Sequence, residues 1–215
     1  MRKLLLSVVV ALAVGVVVLP AAAAQATLAP AEWTSNGVTL TGEQTITSTT
    51  TAASTGGTGR ILATTSNGWT IACHLAIATG SSWVDAGGAG FVDNADIVFS
   101  DCVSNMCAGV TTASNSSISS QLSYDTATGA IVDVLSGISV TDNVPCVGNL
   151  TFAGSLETMA THDASACGGN GGVILEFLNS ATGGSLSGPS GLTTRASGFQ
   201  ELCLDDGSDL DVEIP

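Results

Sequence analysis

The sequence has very few basic residues. Only four of its 215 residues are lysine or arginine, and two of these stand at positions 2 and 3. Against 18 acidic residues, this leaves a formal net charge of −14. Binding to nucleic acid requires a cluster of cations that neutralises phosphates, so nucleic acid is excluded as a partner. Binding to anionic membrane surfaces is disfavoured for the same reason.

Aromatic and charged residues are scarce as well. The chain holds three tryptophans, one tyrosine and five phenylalanines, and charged residues make up only 10% of it. Because 45% of the residues are hydrophobic, the chain is too apolar for a disordered acidic protein, and we expect a folded domain. Its core has to be built mainly from Val, Ile, Leu and Ala.

The N-terminal segment has the parts of an export signal. Two basic residues precede an apolar run, Leu4–Leu19, and the small residues of Ala21–Ala26 provide a cleavage site. The apolar run is shorter than the ~20 residues that a membrane-spanning helix needs. We therefore predict a cleaved signal peptide over residues 1–26. Residues 27–215 are predicted to form a single β-rich extracellular domain, which is secreted and has no membrane span.

The cysteines predict disulfide bonds. An even number of cysteines in an exported protein favours paired cysteines, and six cysteines form three bonds in one of 15 pairings, which the spacing leaves open. No CxxC motif occurs and the histidines lack zinc-finger spacing, so a zinc site is the weaker interpretation. The six are Cys73, Cys102, Cys107, Cys146, Cys167 and Cys203.

Apolar residues alternate with small or polar residues along several stretches, and this period of two predicts half-buried strands. The alternating positions are Trp69 to Ile77, Val38 and Leu40, Ile138 and Val140, Leu150 to Leu156, and Leu210 to Ile214. Two runs without clear alternation, Ile97–Phe99 and Val173–Leu178, are predicted to be strands covered on both faces.

The segments between these stretches favour turns over helices. Asp125–Gly129 has an Asp at the start of a turn and a Gly where a positive φ is needed, which predicts a hairpin. Thr45–Gly59 is predicted to be a strand with a flexible turn, and Gly183–Gly191 a loop. Beyond the export signal no helical period is sustained. The whole pattern predicts an all-β fold, an antiparallel β-sandwich or a related barrel, cross-linked by disulfides and with few short helices.

Short segments of the chain carry a resemblance to known proteins. They are Gly68–Cys73, Ala95–Cys102, and Gly137–Val140 followed by Cys146 and Leu150–Gly154. They resemble a diffuse group of uncharacterised, exported, Thr/Ser/Gly-rich proteins of high-GC Gram-positive bacteria that contain cysteines. The resemblance implies export, a β-rich fold and a bond between Cys73 and Cys102. It implies no activity and no functional residues.

A serine hydrolase is one alternative function. His74, Asp96 or Asp101, and Ser190 follow the chain order of the trypsin-like catalytic triad, and Gly188–Gly191 is similar to the nucleophile turn of that family. The residues flanking this turn differ from the family's Asp and second Gly, and the histidine follows a cysteine instead of preceding it. These departures favour a histidine on the polar face of a strand and a serine in a surface loop. We therefore predict no catalytic residue.

Calcium is the only cofactor that the sequence suggests. Asp205, Asp206, Asp209 and Asp211 concentrate carboxylates near the C-terminus, and carboxylate oxygens are the ligands that Ca²⁺ prefers. Their spacing does not match an EF-hand loop, and alternating acids also form the solvent face of a terminal strand, where they discourage edge-to-edge pairing. A calcium-dependent adhesin-like module is thus a second alternative.

The predicted function is that of a secreted, non-enzymatic protein, an extracellular or envelope-associated binding or structural protein with an unknown ligand outside the cell or at its surface. This prediction combines the export signal, the paired cysteines and the strands with the lack of a complete catalytic motif. A glycosidase carboxylate pair is disfavoured because the chain offers few aromatic platforms for a sugar.

Overall fold

The computed structural model describes residues 28–50, 59–85, 91–92, 97–114, 118–179 and 183–215, so the predicted signal peptide lies outside the described residues. Most of these residues lie in antiparallel strands, which confirms the all-β prediction. The helical segments within these ranges are two 3₁₀ turns, Cys167–Gly169 and Pro189–Gly191. No helix in the described ranges is long and apolar enough to cross a membrane.

Sixteen strands are described. They are β1 (Leu28–Pro30), β2 (Glu32–Ser35), β3 (Val38–Thr39), β4 (Gly42–Thr50), β5 (Ile61–Thr65), β6 (Thr70–Asp85), β7 (Phe91–Val92), β8 (Ile97–Ser104), β9 (Thr111–Ser114), β10 (Ser119–Asp125), β11 (Ile131–Val144), β12 (Gly148–Asp163), β13 (Gly172–Phe177), β14 (Gly184–Ser187), β15 (Thr193–Leu204) and β16 (Asp211–Glu213).

Thirteen of these strands form one large antiparallel sheet. Its main order is β1-β10-β11-β12-β13-β15-β4-β6-β5, and a separate sheet has the order β16-β2-β3. Strand β15 is shared by several neighbours: its first half pairs with β14 and β5, and its second half with β13 and β4. The large sheet therefore folds back on itself and encloses an interior, which gives a sandwich-like fold.

The buried side chains form two clusters. The Trp33 cluster consists of Ala31, Trp33, Ile46, Leu122, Ala160, Val173, Leu175, Leu202, Leu204, Leu210 and Val212. The Phe152 cluster consists of Ile71, Cys73, Val110, Ile138, Val144, Leu150, Phe152, Leu156, Phe177, Leu186 and Ala196. Most of these residues are aliphatic, as expected for a chain with few aromatics, and their removal from water is the main stabilising contribution.

Several predicted strands are confirmed. The run from Trp69 lies largely in β6, with Ile71 and Cys73 buried, and β13 is buried on both faces along nearly its whole length. The hairpin between β10 and β11 has Gly129 at φ 71°. Its Asp125 carboxylate accepts the backbone N–H of Ala127 at 2.9 Å. This hydrogen bond and that of Thr128 hold the pKa of Asp125 below its usual value.

Three details of the sequence prediction are wrong. Val98 is 51% exposed, so Ile97–Phe99 is not covered on both faces. Val38 is 68% exposed, since it lies beside the tight turn between β2 and β3. Gly183–Gly191 contains strand β14. A local pattern of β-branched or small residues does not reveal which faces other elements cover, and this explains these errors. The turn predicted at residues 55–57 lies outside the described residues.

The six cysteines form three disulfides, as predicted. The bonds are Cys73–Cys102, Cys107–Cys146 and Cys167–Cys203. The first joins β6 to β8, the second joins the segments that follow β8 and β11, and the third joins the 3₁₀ turn before β13 to β15. The pairing of Cys73 with Cys102, which the resemblance implied, is confirmed.

Replacing both Cys73 and Cys102 with alanine is expected to lower the free energy of unfolding by about 3 to 4 kcal/mol. The bond closes a loop of 29 residues, and opening this loop returns entropy of that size to the unfolded chain. Urea unfolding of the oxidised protein and of the double variant measures the difference. Equal midpoints for the two proteins would contradict this role for the bond.

Candidate functional site

A cavity of about 150 Å³ lies between the two core clusters. Its wall takes residues from both clusters and is mostly apolar; representative residues are Trp33, Ile46, Leu202, Ile138, Phe152 and Phe177. An apolar cavity of this volume admits a molecule about the size of benzene. Concave, mainly apolar spaces with a few polar groups are the usual sites of small-molecule binding. This cavity is therefore the candidate functional site.

A bulge in β11 brings two aspartates to the wall of the cavity. Asp133 lies before the bulge and Asp142 after it, and both line the cavity. Alternate residues of a regular strand face opposite sides, so an odd-numbered and an even-numbered residue do not share a face. The register with β12 shifts between Leu135 and Ile138. Gly137 lies in this shift, with φ 73°. The irregularity reverses the alternation and places both carboxylates inside.

Asp133 is almost completely enclosed, with 1% of its surface exposed. Its Oδ1 atom accepts a hydrogen bond from the Ser120 hydroxyl at 2.7 Å, and the backbone of Gln121 provides a further hydrogen bond. Burial raises the pKa of Asp133 to about 6, although both hydrogen bonds act in the opposite direction. The charged form is thus costly in the folded protein.

Asp142 occupies a similar place nearer the other end of β11. It is 5% exposed, and its Oδ1 atom accepts a hydrogen bond from the Thr112 hydroxyl at 2.7 Å. The same hydroxyl oxygen lies 3.5 Å from the Cys73 sulfur, so the carboxylate sits close to a disulfide. Burial raises the pKa of Asp142, and the Thr112 hydrogen bond opposes this shift. The cavity wall therefore carries two desolvated carboxyl groups.

Two residues of β15 add neutral polar groups to the wall. The Gln200 side-chain amide donates to the Ser48 hydroxyl at 2.6 Å. Thr194 is 6% exposed and lines the cavity. Its hydroxyl has no hydrogen-bond partner within the described part of the chain. A buried hydroxyl without a partner is unusual and costs free energy, so Thr194 offers an unused donor and acceptor at this wall.

The residues of the hydrolase alternative do not form a catalytic triad in the described structure. The Nδ1 atom of His74 lies 3.3 Å from the Thr50 hydroxyl. Asp101 and Ser190 are both exposed. Asp96 lies outside the described residues. Across the described ranges, no hydrogen bond joins His74 to either Asp101 or Ser190.

Strand register explains why Ser190 is remote from His74. Ser190 lies in the 3₁₀ turn that leads into β15, and the Thr193 carbonyl accepts the N–H of Ser66 in the turn between β5 and β6. Strand β6 begins at Thr70, and His74 lies four residues after it. At about 3.3 Å per residue this is roughly 13 Å along the strand. The serine and the histidine therefore lie at different levels of the sheet.

The acidic residues near the C-terminus have separate partners. Asp206 accepts hydrogen bonds from the backbone and hydroxyl of Ser208, which hold its pKa below the usual value. Asp211 lies in β16 and accepts the backbone N–H of Val212. Asp205 is exposed. In the described residues, no three of the carboxylates of Asp205, Asp206, Asp209 and Asp211 come within metal-binding distance of one another. The calcium site stays a prediction that this geometry does not support.

Asp209 instead pairs with His162 of β12. The two side chains approach to 2.9 Å between Nε2 and Oδ1. Partial burial lowers the pKa of His162, but the hydrogen bond to Asp209 and the charges of Asp211, Asp209 and Asp163 raise it more, so the net shift is upward. A Cβ atom at Gly171 would collide with the Asp209 carboxylate, so the pair depends on a glycine there.

The described ranges contain one group of potential metal ligands, formed by Cys167, Glu201 and Cys203. Both cysteines are joined in a disulfide, so their sulfurs do not act as thiolate ligands. The Glu201 carboxylate accepts the backbone N–H of Cys167 at 3.1 Å, which orders the turn beside the disulfide. This group is best explained as part of the disulfide's surroundings.

Sequence reasoning missed both aspartates of the cavity. Asp142 stands at every second position in a row with Ile138, Val140 and Val144. This alternation of period two predicts that Asp142 lies on the apolar face of the strand. Asp133 stands between two valines, a pattern that predicts an exposed aspartate. Only the bulge places it inside, and the sequence signal for this bulge is the glycine within the strand, Gly137.

Replacing Asp133 with asparagine is expected to change how stability depends on pH. The folded pKa of about 6 lies above the ordinary value of 3.8, so the wild type loses stability as the pH rises from about 4 to about 6 and does not regain it above. The difference in unfolding free energy, variant minus wild type, should grow by about 3 kcal/mol across this range. Urea unfolding at several pH values measures it.

Asp206→Asn is the control for this experiment. The pKa of Asp206 is lowered by its hydrogen bonds with Ser208, so its charged form contributes stability that is present above the ordinary pKa and is lost in acid. The variant should therefore become less stable relative to wild type as the pH rises. A difference for Asp133→Asn that stays constant between pH about 4 and about 7 would contradict the burial of a charged carboxylate.

Replacing Gly171 with alanine is expected to lower the pKa of His162, because the new methyl group displaces the Asp209 carboxylate. Gly168→Ala is the matched control: Gly168 has φ 71° against 89° for Gly171, and no atom lies within 4 Å of a Cβ placed there. NMR titration of the histidine ring measures the pKa. The ion pair stabilises the protein below the ordinary histidine pKa, and this is lost as the pH rises through the raised value. Equal pKa values in both variants would refute the proposed dependence.

Comparison with known proteins provides no further guide to the site. No protein family, curated protein or solved structure matches this chain. The chemistry of the cavity and of the residues that line it is therefore the guide to function.

Proposed function

We propose that the protein is a secreted, non-enzymatic binding protein whose cavity holds a small, largely apolar molecule outside the cell. The observation that carries this proposal is the cavity of about 150 Å³ between the two core clusters. Protein interiors are normally packed without voids larger than a water molecule. An apolar void of this size costs stability, and a ligand that fills it recovers the lost contacts.

The composition of the wall supports binding in preference to turnover. Apolar and aromatic side chains dominate it, and no histidine is among the described residues that line it. The one cysteine at the wall, Cys73, is held in a disulfide and offers no thiolate nucleophile. The carboxyl groups of Asp133 and Asp142 accept hydrogen bonds from neighbouring hydroxyls. Such a wall favours an apolar ligand, and among its described residues no hydroxyl is paired with a histidine base.

The covalent structure and the charge support a place outside the cell. Three disulfides persist in an oxidising compartment and are rare in the cytosol. A net charge of −14 keeps a protein with few charged residues soluble.

Toluene is expected to raise the melting temperature of the oxidised protein by about 2 to 4 °C near saturation, because it binds the folded state alone. Ala196→Leu should abolish this effect, since Ala196 is buried at the wall and a leucine there occupies the cavity. Ala153→Leu is the matched control on the exposed face of β12 and should respond as wild type does. Calorimetric scans with and without toluene measure the effect.

Two results would contradict the proposal. A wild-type melting temperature that toluene leaves unchanged means that the cavity does not take apolar molecules. A toluene effect that persists in Ala196→Leu means that toluene binds elsewhere. If the leucine strains the core, Ala63→Leu tests the same wall from β5, because Ala63 pairs with Ala196 and also lines the cavity.

A further inference from the structure

The carboxyl groups in the cavity wall have no cationic partner. Beyond position 3 the sequence holds only two arginines and two histidines. The ion pair of His162 with Asp209 involves no residue that lines the cavity, and within the described ranges no ion pair joins Asp133 or Asp142 to a cationic side chain. Arg195 is among the residues that line the cavity, but it is exposed to solvent, and in the described structure it forms no ion pair with Asp133 or Asp142. Asp133 and Asp142 are thus buried acids that the protein itself does not neutralise.

A bound cation would remove the cost of this arrangement. A carboxylate without a counter-ion in an apolar interior is strongly destabilised, and an opposite charge beside it interacts more strongly there than in water. The acidic protein as a whole also attracts cations through its net charge of −14. The ligand that best complements the wall is therefore positively charged at one end.

The rest of the wall favours an organic cation over a metal ion. Calcium takes six to eight oxygen ligands, whereas Asp133 has two hydroxyl neighbours, Ser120 at its carboxylate and Thr158 at its backbone carbonyl, and otherwise mostly apolar surroundings. An aromatic ring lies on the same face two strands away, about 10 Å from Asp133: Thr158 pairs with Asp133 on one side and with Phe177 on the other, and Phe177 lines the cavity. Aromatic faces attract ammonium groups and also pack against apolar bodies.

The Thr194 hydroxyl is an independent sign of a polar ligand group. It is 6% exposed and lines the cavity. It has no hydrogen-bond partner within the described residues. A wholly apolar ligand would leave this hydroxyl without a hydrogen bond, whereas a ligand with a polar substituent would provide one.

We propose that the cavity binds a small organic amine, with its ammonium group against the Asp133 carboxylate and its apolar body among the aromatic side chains. This inference rests on the proposed function. Asp133 is chosen over Asp142 because it is the more enclosed of the two carboxyl groups, at 1% against 5% exposure. The upward shift of its pKa supports a site that gains from a neighbouring positive charge.

The test compares two probes of nearly equal size and shape. Benzylamine is positively charged at neutral pH, as a lysine side chain is, and benzyl alcohol is neutral. Thermal melting and calorimetric titration of the oxidised wild-type protein should show binding of both, with benzylamine about tenfold tighter. At about ten times its Kd, benzylamine should raise the melting temperature by about 3 to 6 °C.

Asp133→Asn should abolish the preference for the amine and retain the binding of benzyl alcohol. The retained binding shows that the variant is folded and that its cavity is intact. Asp206→Asn removes an equal charge from the exposed surface and should keep the preference, so it separates a local effect of Asp133 from the effect of net charge.

Other results would overturn the inference in distinguishable ways. Equal affinities of the wild type for the two probes refute the amine and leave the proposed binding function intact. Loss of the preference in Asp142→Asn, and not in Asp133→Asn, refutes the position of the ammonium group at Asp133. Failure of toluene, benzyl alcohol and benzylamine to bind refutes both the inference and the proposed function.

Discussion

The pairing of β15 determines how the rest of the molecule is arranged. One half of this strand pairs with β14 and β5, and the other half pairs with β13 and β4. Each edge of β15 thus pairs with two strands in succession, and the sheet bends around an interior at this strand. Its inward side chains, including Thr194, Ala196 and Gln200, then face those of β11 and β12 across a shared interior. The cavity follows from this arrangement.

The interior is poorly matched to the carboxyl groups that it contains. A chain selected only for stability would place a hydrophobic residue at position 133, since a buried carboxylate costs free energy even when hydroxyl and backbone groups donate to it. Functional sites are where such costs are commonly found. The inward position of the Asp133 carboxyl group depends on the bulge of β11, which contains a glycine.

Local pattern explains the strands, and contacts between distant segments explain the site. Alternation predicted β6 and β12, and the turn residues predicted the hairpin at Asp125. Alternation alone also places Asp142 on an apolar face. The inward position of Asp133 depends on a bulge, and the cavity depends on β5, β11 and β15, which lie far apart in the sequence. Gly137 is a local signal for the bulge, but no local pattern shows which distant strands meet around the cavity. The exposure of Val98 has the same origin, because it is set by which element covers the strand.

The order of the disulfides has a consequence for how the chain matures. The cysteines are bonded first to second, third to fourth and fifth to sixth: Cys73 to Cys102, Cys107 to Cys146, and Cys167 to Cys203. On the proposed secretion from the N-terminus, the chain presents the two members of each pair before the next pair emerges. Oxidation in the order of emergence therefore produces the native bonds directly, without the exchange of mispaired cysteines that interleaved bonds require.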